Sequence, residues 1–105
     1  LAGHLLEMLR ASPGTAATLQ LESIPLLDGA LETTRSGITS SLYPANSQAM
    51  TAFENLNQVI DTPQFPLLFD PQTSGGLLTS VPAEMGDRCL AALKDLGYTH
   101  SQRIG

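Results

Sequence analysis

The chain has 105 residues, of which 42% are hydrophobic and 14% charged, and this composition predicts one folded domain rather than a disordered segment. Ten acidic and five basic residues give a net charge of −5, and the basic residues are scattered, which argues against nucleic-acid binding. A single cysteine excludes an internal disulfide and favours a reducing, cytoplasmic compartment. No apolar run approaches the roughly 18 residues of a membrane span.

Residues 1–12 are predicted to form an amphipathic helix. Its apolar residues recur at the spacing of one helix face: Ala2, Leu5, Leu6 and Leu9. The tripeptide Ser12–Gly14 is expected to end the helix. Because the chain starts with Leu1 inside this pattern, we expect it to be a piece of a longer protein.

A strand and a second helix are predicted to follow. Thr15–Glu22 alternates apolar and polar residues, which is typical of a half-buried strand. Ser23 and Pro25 resemble a helix cap and a first-turn proline. This second helix is expected to end at Gly37 and to bury Leu27, Ala30, Leu31 and Thr34.

Gly37–Ala45 is predicted to be an ordered loop, and Asn46 is a candidate cap for a third helix, which would bury Ala49, Phe53, Leu56 and Ile60. Two further strands are predicted at Pro66–Phe69 and Leu77–Val81, on either side of a loop.

The remaining predicted elements are a helix that begins at Val81–Pro82 and a final strand at Tyr98–Ile104. The helix carries an apolar stripe and ends at Gly97; the stripe comprises Met85, Cys89, Ala92, Leu93 and Leu96. The resulting mixture of helices and strands predicts a single α+β domain over residues 1–105, with helices packed on a mixed sheet.

The loop Asp70–Gly76 is the most distinctive segment. Asp70, Pro71 and Gln72 are expected to shape it, since Asp-Pro pairs initiate turns. Thr73, Ser74, Gly75 and Gly76 offer hydroxyls and accessible backbone N–H groups, which together suit phosphate oxygens. The residue types alone favour a structural turn over a binding site.

Other reactive residue types carry no supporting pattern. His4 and His100 lack metal-ligand spacing, and Cys89 lies within an apolar helix stripe, where a buried thiol is the simpler interpretation. Asp28 and Glu32 share a helix face that is expected to meet solvent. No catalytic or metal-binding residue is therefore predicted within the chain.

Five segments in order resemble the C-terminal domain of the selenophosphate synthetase (selenide, water dikinase) family. They are AGHLLEML (Ala2–Leu9), IPLLDGALE (Ile24–Glu32), SSLYPAN (Ser40–Asn46), LLFDPQTSGGLL (Leu67–Leu78) and VPAE (Val81–Glu84). The fourth segment is the most specific. The wider superfamily includes aminoimidazole ribonucleotide synthetase, whose C-terminal domain implies a three-layer α+β fold here.

The resemblance implies an enzyme that makes selenophosphate from ATP, water and hydrogen selenide with Mg²⁺. It also implies a homodimer of two-domain protomers, in which an N-terminal ATP-binding domain of the same chain is the partner of this segment. The family's nucleophile and most of its metal-binding aspartates belong to that N-terminal part, so this chain alone is expected to be inactive.

Several interpretations remain open at this point. In the intact enzyme, residues 73–76 would either line the phosphate or selenide side of a cleft or fix a hairpin against the partner domain. Another ATP-dependent member of the superfamily, or a non-catalytic binding or dimerisation module, is an alternative identity for the protein.

Overall fold

The computed structural model describes residues 1–72 and 75–105, and these residues fall into two compact units. The first unit comprises Leu1–Ala17 and Leu26–Gly75, and the second comprises Thr18–Pro25 and Gly76–Gly105. The single-domain organisation expected for residues 1–105 stays a prediction.

Helices account for the regular structure of both units. The α-helices are α1 (Ala2–Arg10), α2 (Ala30–Arg35), α3 (Tyr43–Asn46), α4 (Leu56–Val59) and α5 (Gly86–Asp95). Shorter 3₁₀ helices lie at Leu21–Ser23, Ser47–Ala52, Phe65–Phe69 and Ala83–Met85. No helix in the described ranges is long and apolar enough to cross a membrane.

Helix α1 confirms the amphipathic pattern of the first residues. Ala2 is buried, and Leu5, Leu6 and Leu9 are half-buried, while the positions between them face solvent. Burial of such a stripe is the main source of helix stability in a protein, since nine residues are too few for a stable isolated helix.

An aromatic cluster forms the core of the first unit. Phe65 and Phe69 are almost completely buried, and their ring centroids are 5.2 Å apart at an interplanar angle of 71°. Phe53 meets both rings, at 5.5 and 5.9 Å, in tilted or near-perpendicular arrangements. Edge contacts of this kind add about 0.5–1.5 kcal/mol per pair to the burial of the rings.

Helix α5 organises the second unit. Cys89, Leu90 and Leu93 are its half-buried positions, whereas the predicted stripe members Met85, Ala92 and Leu96 are exposed. The N–H of Gly97 bonds the carbonyl of Lys94 at 2.9 Å, and the N–H of Tyr98 bonds that of Leu93 at 3.0 Å. These two bonds form a Schellman motif, so the predicted helix end at Gly97 is confirmed.

The predicted α+β sheet fold is wrong, because residues 1–72 and 75–105 contain helices and irregular segments but no strand. The segments expected to be strands are Thr15–Glu22, Pro66–Phe69, Leu77–Val81 and Tyr98–Ile104. Between the first and last of these, the N–H of Gln20 bonds the carbonyl of Ile104 at 2.8 Å. One such bond does not make a sheet, which requires a repeating ladder.

The apolar segment before the loop shows why the strand assignment failed. Phe65, Leu68 and Phe69 are buried within a 3₁₀ helix, and their spacing of three and four residues is that of a helical face. A short apolar run fits a strand or a buried helical turn equally well by periodicity. Leu77, which the strand prediction made part of a hairpin, is fully exposed.

Candidate functional site

The first unit contains an open cleft of about 450 Å³ that ends at the start of the distinctive loop. Its walls combine apolar, hydroxyl and acidic side chains from α2, from the segments that flank it, and from the end of the aromatic 3₁₀ helix. The lining residues are Leu27, Asp28, Gly29, Ala30, Thr33, Thr34, Ile38, Thr39, Ser40, Leu67 and Asp70.

Two glycines determine the path of the chain around this cleft. Gly29 has φ +81°, a conformation that other residues rarely adopt, so α2 begins only at Ala30. Gly37 has φ +76° and ends the helix, as predicted. The late start corrects the prediction for Leu27, which is 81% exposed because it precedes the helix, while Ala30, Leu31 and Thr34 are half-buried as expected.

The hydroxyls on α2 donate their protons within the helix. Thr33 Oγ1 donates to the carbonyl of Gly29 at 2.8 Å, and Thr34 Oγ1 donates to that of Ala30 at 2.9 Å. With their protons used in this way, both oxygens retain only lone pairs for a ligand. Together with the carboxylates of Asp28 and Asp70, they make a lining rich in acceptors.

No lysine, arginine or histidine lines the cleft within the described part of the chain. An acceptor-rich, negatively charged surface favours hydrogen-bond donors and cations, and it disfavours a bare phosphate group. This surface differs from the donor-rich loop that the sequence predicted for phosphate.

Two contacts to the preceding residue, Phe69, hold the chain in place where Asp70 meets the cleft. Asn46 Nδ2 donates to the carbonyl of Phe69 at 2.9 Å, and the ring of Tyr43 meets that of Phe69 edge-on at 6.3 Å. Asn46 ends α3 and occupies the N-cap position of the 3₁₀ helix over residues 47–52, but its side chain makes no capping hydrogen bond there, and α4 begins only at Leu56. The prediction of one continuous third helix capped by Asn46 is therefore wrong.

A second long-range bond lies one residue earlier. The α-amino group of Leu1 donates to the carbonyl of Leu68 at 3.1 Å. Burial lowers the pKa of this amino group below its ordinary value of 8.0, and the nearby Asp70 carboxylate opposes that shift. The amino end of α1 therefore lies close to Asp70, the residue that opens the loop.

The predicted loop residues are only partly placed. Pro71 is half-buried and Gln72 exposed, and Gly75 and Gly76 are both exposed. A Cβ atom at Gly75 would lie 3.1 Å from Gln72 Oε1, whereas one at Gly76 would meet no atom within 4 Å. Thr73 and Ser74 lie outside the described residues. The ligand role of residues 73–76 remains a prediction.

Two residues, Asp28 and Asn46, were not predicted from the sequence to belong to the candidate site. Asp28 and Glu32 are both exposed, as predicted, but Asp28 lies before α2 rather than on it and also lines the open cleft. The Asp-Gly dipeptide at 28–29 is a turn signal that identifies a break before the helix. Nothing local to Asn46 signals its bond to Phe69, which is distant in sequence.

Other polar residues are distributed without a common site. His4 and His100 are exposed, and Cys89 is a free thiol, half-buried in α5. Over residues 1–72 and 75–105, no three His, Cys, Asp or Glu side chains lie together in a group able to hold a metal ion.

Comparison with known proteins identifies relatives along the whole chain. Selenide, water dikinase of Clostridioides difficile is 33% identical over 107 residues, and that of Dechloromonas aromatica is 34% identical over 109 residues; each alignment covers 100% of this chain. The enzyme of the same name from Myxococcus xanthus is 37% identical over 106 residues, covering 92% of this chain.

The chain spans about 30% of the length of the first two relatives and 27% of the third. No family model matches the chain, and no solved structure matches it significantly. Along its whole length the chain is similar to selenide, water dikinases, which confirms the resemblance predicted from its motifs.

Proposed function

We propose that this chain is the C-terminal domain of a cytoplasmic selenide, water dikinase, an enzyme that makes selenophosphate from ATP, water and hydrogen selenide. The observation that carries this proposal is similarity over the entire chain to enzymes of that name that are more than three times as long. The segment with the most specific resemblance, Leu67–Leu78, contributes Leu67 and Asp70 to the lining of the cleft.

In this proposal the chain alone is inactive and works with an N-terminal ATP-binding domain in a homodimer. Phosphoryl transfer depends on metal ions and donors that stabilise phosphate oxygens. The cleft instead offers acceptors: the carboxylates of Asp28 and Asp70 and the hydroxyl oxygens of α2. Groups that supply positive charge would have to come from elsewhere in the enzyme.

Magnesium fits this chemistry only in part. Carboxylate and hydroxyl oxygens are the hard ligands that Mg²⁺ accepts, and it commonly uses one or two carboxylates together with water and substrate phosphates. Asp28 and Asp70 are the residues of this chain suited to that contribution. The bound ion would neutralise phosphate charge, and its remaining ligands would come from outside this chain.

A chimera tests the proposal. The matching segment of the Clostridioides difficile enzyme is replaced by these 105 residues, and ATP-dependent selenophosphate formation is followed by phosphorus NMR. We expect the chimera to be active and the isolated 105-residue chain to form no selenophosphate. A graft of the Myxococcus xanthus segment provides the matched control.

Two outcomes would contradict the proposal. An inactive but folded chimera beside an active control graft would argue for the alternative, a non-catalytic binding or dimerisation module. Selenophosphate formed by the isolated chain would refute its predicted inactivity.

Within the active chimera, loop variants separate binding from scaffolding. Gly76 is surrounded by open space, so Gly76→Ala is expected to leave the melting temperature unchanged. Loss of turnover without loss of stability in Gly76→Ala, or in Ser74→Ala, would support a binding role for the loop. A lower melting temperature with unchanged turnover per folded molecule would support a scaffold role.

A further inference from the structure

The peptide unit that joins Phe69 to Asp70 is bound at both of its polar atoms. Its carbonyl oxygen accepts from Asn46 Nδ2 at 2.9 Å, and its N–H donates to the carbonyl of Leu67 at 3.3 Å. Because a peptide unit is planar, bonds at both of its polar atoms restrain the orientation of the whole unit from which the Asp70 Cα atom emerges.

The backbone of Asp70 then sets the direction of the loop. Its φ of −67° and ψ of 128° turn the chain out of the 3₁₀ helix into an extended conformation. Residues before proline favour this region, and Pro71 follows directly. The orientation of this peptide unit therefore contributes both to the position of Asp70 at the cleft and to the direction in which the chain continues at Pro71.

Within residues 1–72 and 75–105, the bond from Asn46 is the only one to this peptide unit that comes from a side chain. The Leu67 bond closes a turn within the 3₁₀ helix itself, and at 3.3 Å it is the longer of the two. The Asn46 bond connects two of the segments that carry the family resemblance, SSLYPAN and LLFDPQTSGGLL, across 23 positions of the sequence. The edge contact between Tyr43 and Phe69 joins the same two segments.

We propose that Asn46 is a positioning residue, which acts through the Phe69 carbonyl to orient Asp70 at the cleft and the start of the segment that follows it. This inference rests on the proposed function for its catalytic consequence, whereas its structural part concerns the 105-residue chain alone. Each part has its own measurement.

The isolated chain tests the geometry. Asn46→Asp keeps the size and shape of the side chain but replaces the donor NH₂ with an oxygen that repels the Phe69 carbonyl. Amide NMR shifts of Asp70, Gln72, Gly75 and Gly76 are expected to move, while those of α5 stay in place. Asn57→Asp, at an exposed position of α4, is the control and should leave the loop shifts unchanged.

The chimera tests the catalytic consequence. Displacement of a catalytic group by about 1 Å can reduce turnover by up to a hundredfold, so Asn46→Asp is expected to lower kcat about ten- to hundredfold. Leu56→Ala is the control for a general loss of stability, because it removes a half-buried side chain of α4 without touching the Asn46 bond. At a temperature where all variants are folded, Leu56→Ala should keep the kcat of the unaltered chimera.

The outcomes separate the two claims. An inactive parent chimera refutes the proposed function, and the NMR shifts still decide the position of the loop. Unchanged loop shifts in Asn46→Asp overturn the inference in either case. An active chimera in which Asn46→Asp retains full kcat overturns the catalytic role of Asn46.

Discussion

Gly29 illustrates how one residue decides the shape of the candidate site. The motif around it suggested a helix that would bury Leu27 and leave Asp28 on a solvent-facing side. Its left-handed backbone instead delays α2 to Ala30 and leaves Asp28 beside the cleft. Sequence patterns record which residues are apolar, but the sign of a glycine φ is set by its surroundings.

Substitution by alanine is expected to change the free energy of unfolding in opposite directions at Gly29 and Gly3. Gly29→Ala forces a side chain into the left-handed region and should lower the free energy of unfolding by about 1 kcal/mol. Gly3→Ala, in open space within α1, should raise it by about 0.5 kcal/mol through helix propensity. Urea unfolding measures both, and a loss of stability in Gly3→Ala equal to that in Gly29→Ala would contradict the assignment.

The amino group of Leu1 makes the stability of the 105-residue chain depend on pH. Its pKa is lower in the folded chain than its ordinary value of 8.0, mainly because burial disfavours the charged form. Between these two pKa values the unfolded chain binds more protons, so the free energy of unfolding rises with pH across that window. Below the folded pKa the amino group is charged in both states, so the free energy of unfolding stays at its lower value and no longer changes with pH through this group.

Amino-terminal acetylation isolates this effect. The acetylated amide still has an N–H for the Leu68 carbonyl but no longer titrates. We expect the stability difference between free and acetylated chains, measured by urea unfolding, to change as pH passes from 6 to 9. A constant difference would contradict the lowered pKa.

Elements with a long, regular pattern were predicted correctly, whereas short apolar runs were not. Helices α1 and α5 extend over nine and ten residues, and their presence was recognised from spacing and end signals. The start of α5 was not: it was predicted at Val81–Pro82, whereas the helix begins at Gly86 after a 3₁₀ turn. The run that ends at Phe69 has too few residues to distinguish a strand from a helical turn. The cleft itself was missed because its carboxylates come from segments that meet only in the folded unit.

Two leucines distinguish the helical arrangement from the predicted hairpin. Leu68 is 2% exposed in the aromatic core, so Leu68→Ala should cost about 2–5 kcal/mol. Leu77 is fully exposed, so Leu77→Ala should change the free energy of unfolding by less than about 0.5 kcal/mol. Thermal or urea unfolding measures both changes. A loss of stability in Leu77→Ala as large as that in Leu68→Ala would instead favour the predicted hairpin, in which both leucines are packed.

At the scale of the whole molecule, negative charge and exposed apolar side chains oppose each other. The chain has a net charge of −5 and an isoelectric point near 4.6. Large apolar side chains are exposed in both units, among them Leu27, Ile38 and Tyr98. Charge repulsion keeps such molecules apart, and its loss permits apolar patches to associate.

Self-association is therefore expected to increase as pH falls toward 4.6. Sedimentation velocity at pH 7.5 and pH 5 measures this directly. Raising the salt concentration at pH 7.5 screens the same repulsion and should act in the same direction. An unchanged sedimentation profile at both pH values would show that the exposed apolar residues are too dispersed to associate.

The bond between Leu1 and the carbonyl of Leu68 also has a consequence for the order of events during synthesis. Its partners are 67 positions apart, so the first helix leaves the ribosome long before its anchoring residue exists. At about 5–20 residues per second, that delay lasts roughly 3–13 seconds. The bond between Gln20 and Ile104 imposes a still longer delay in the second unit, because its partners are further apart in sequence. Each unit therefore completes its long-range contacts well after its earliest segments are made, and only local structure is available to those segments until then.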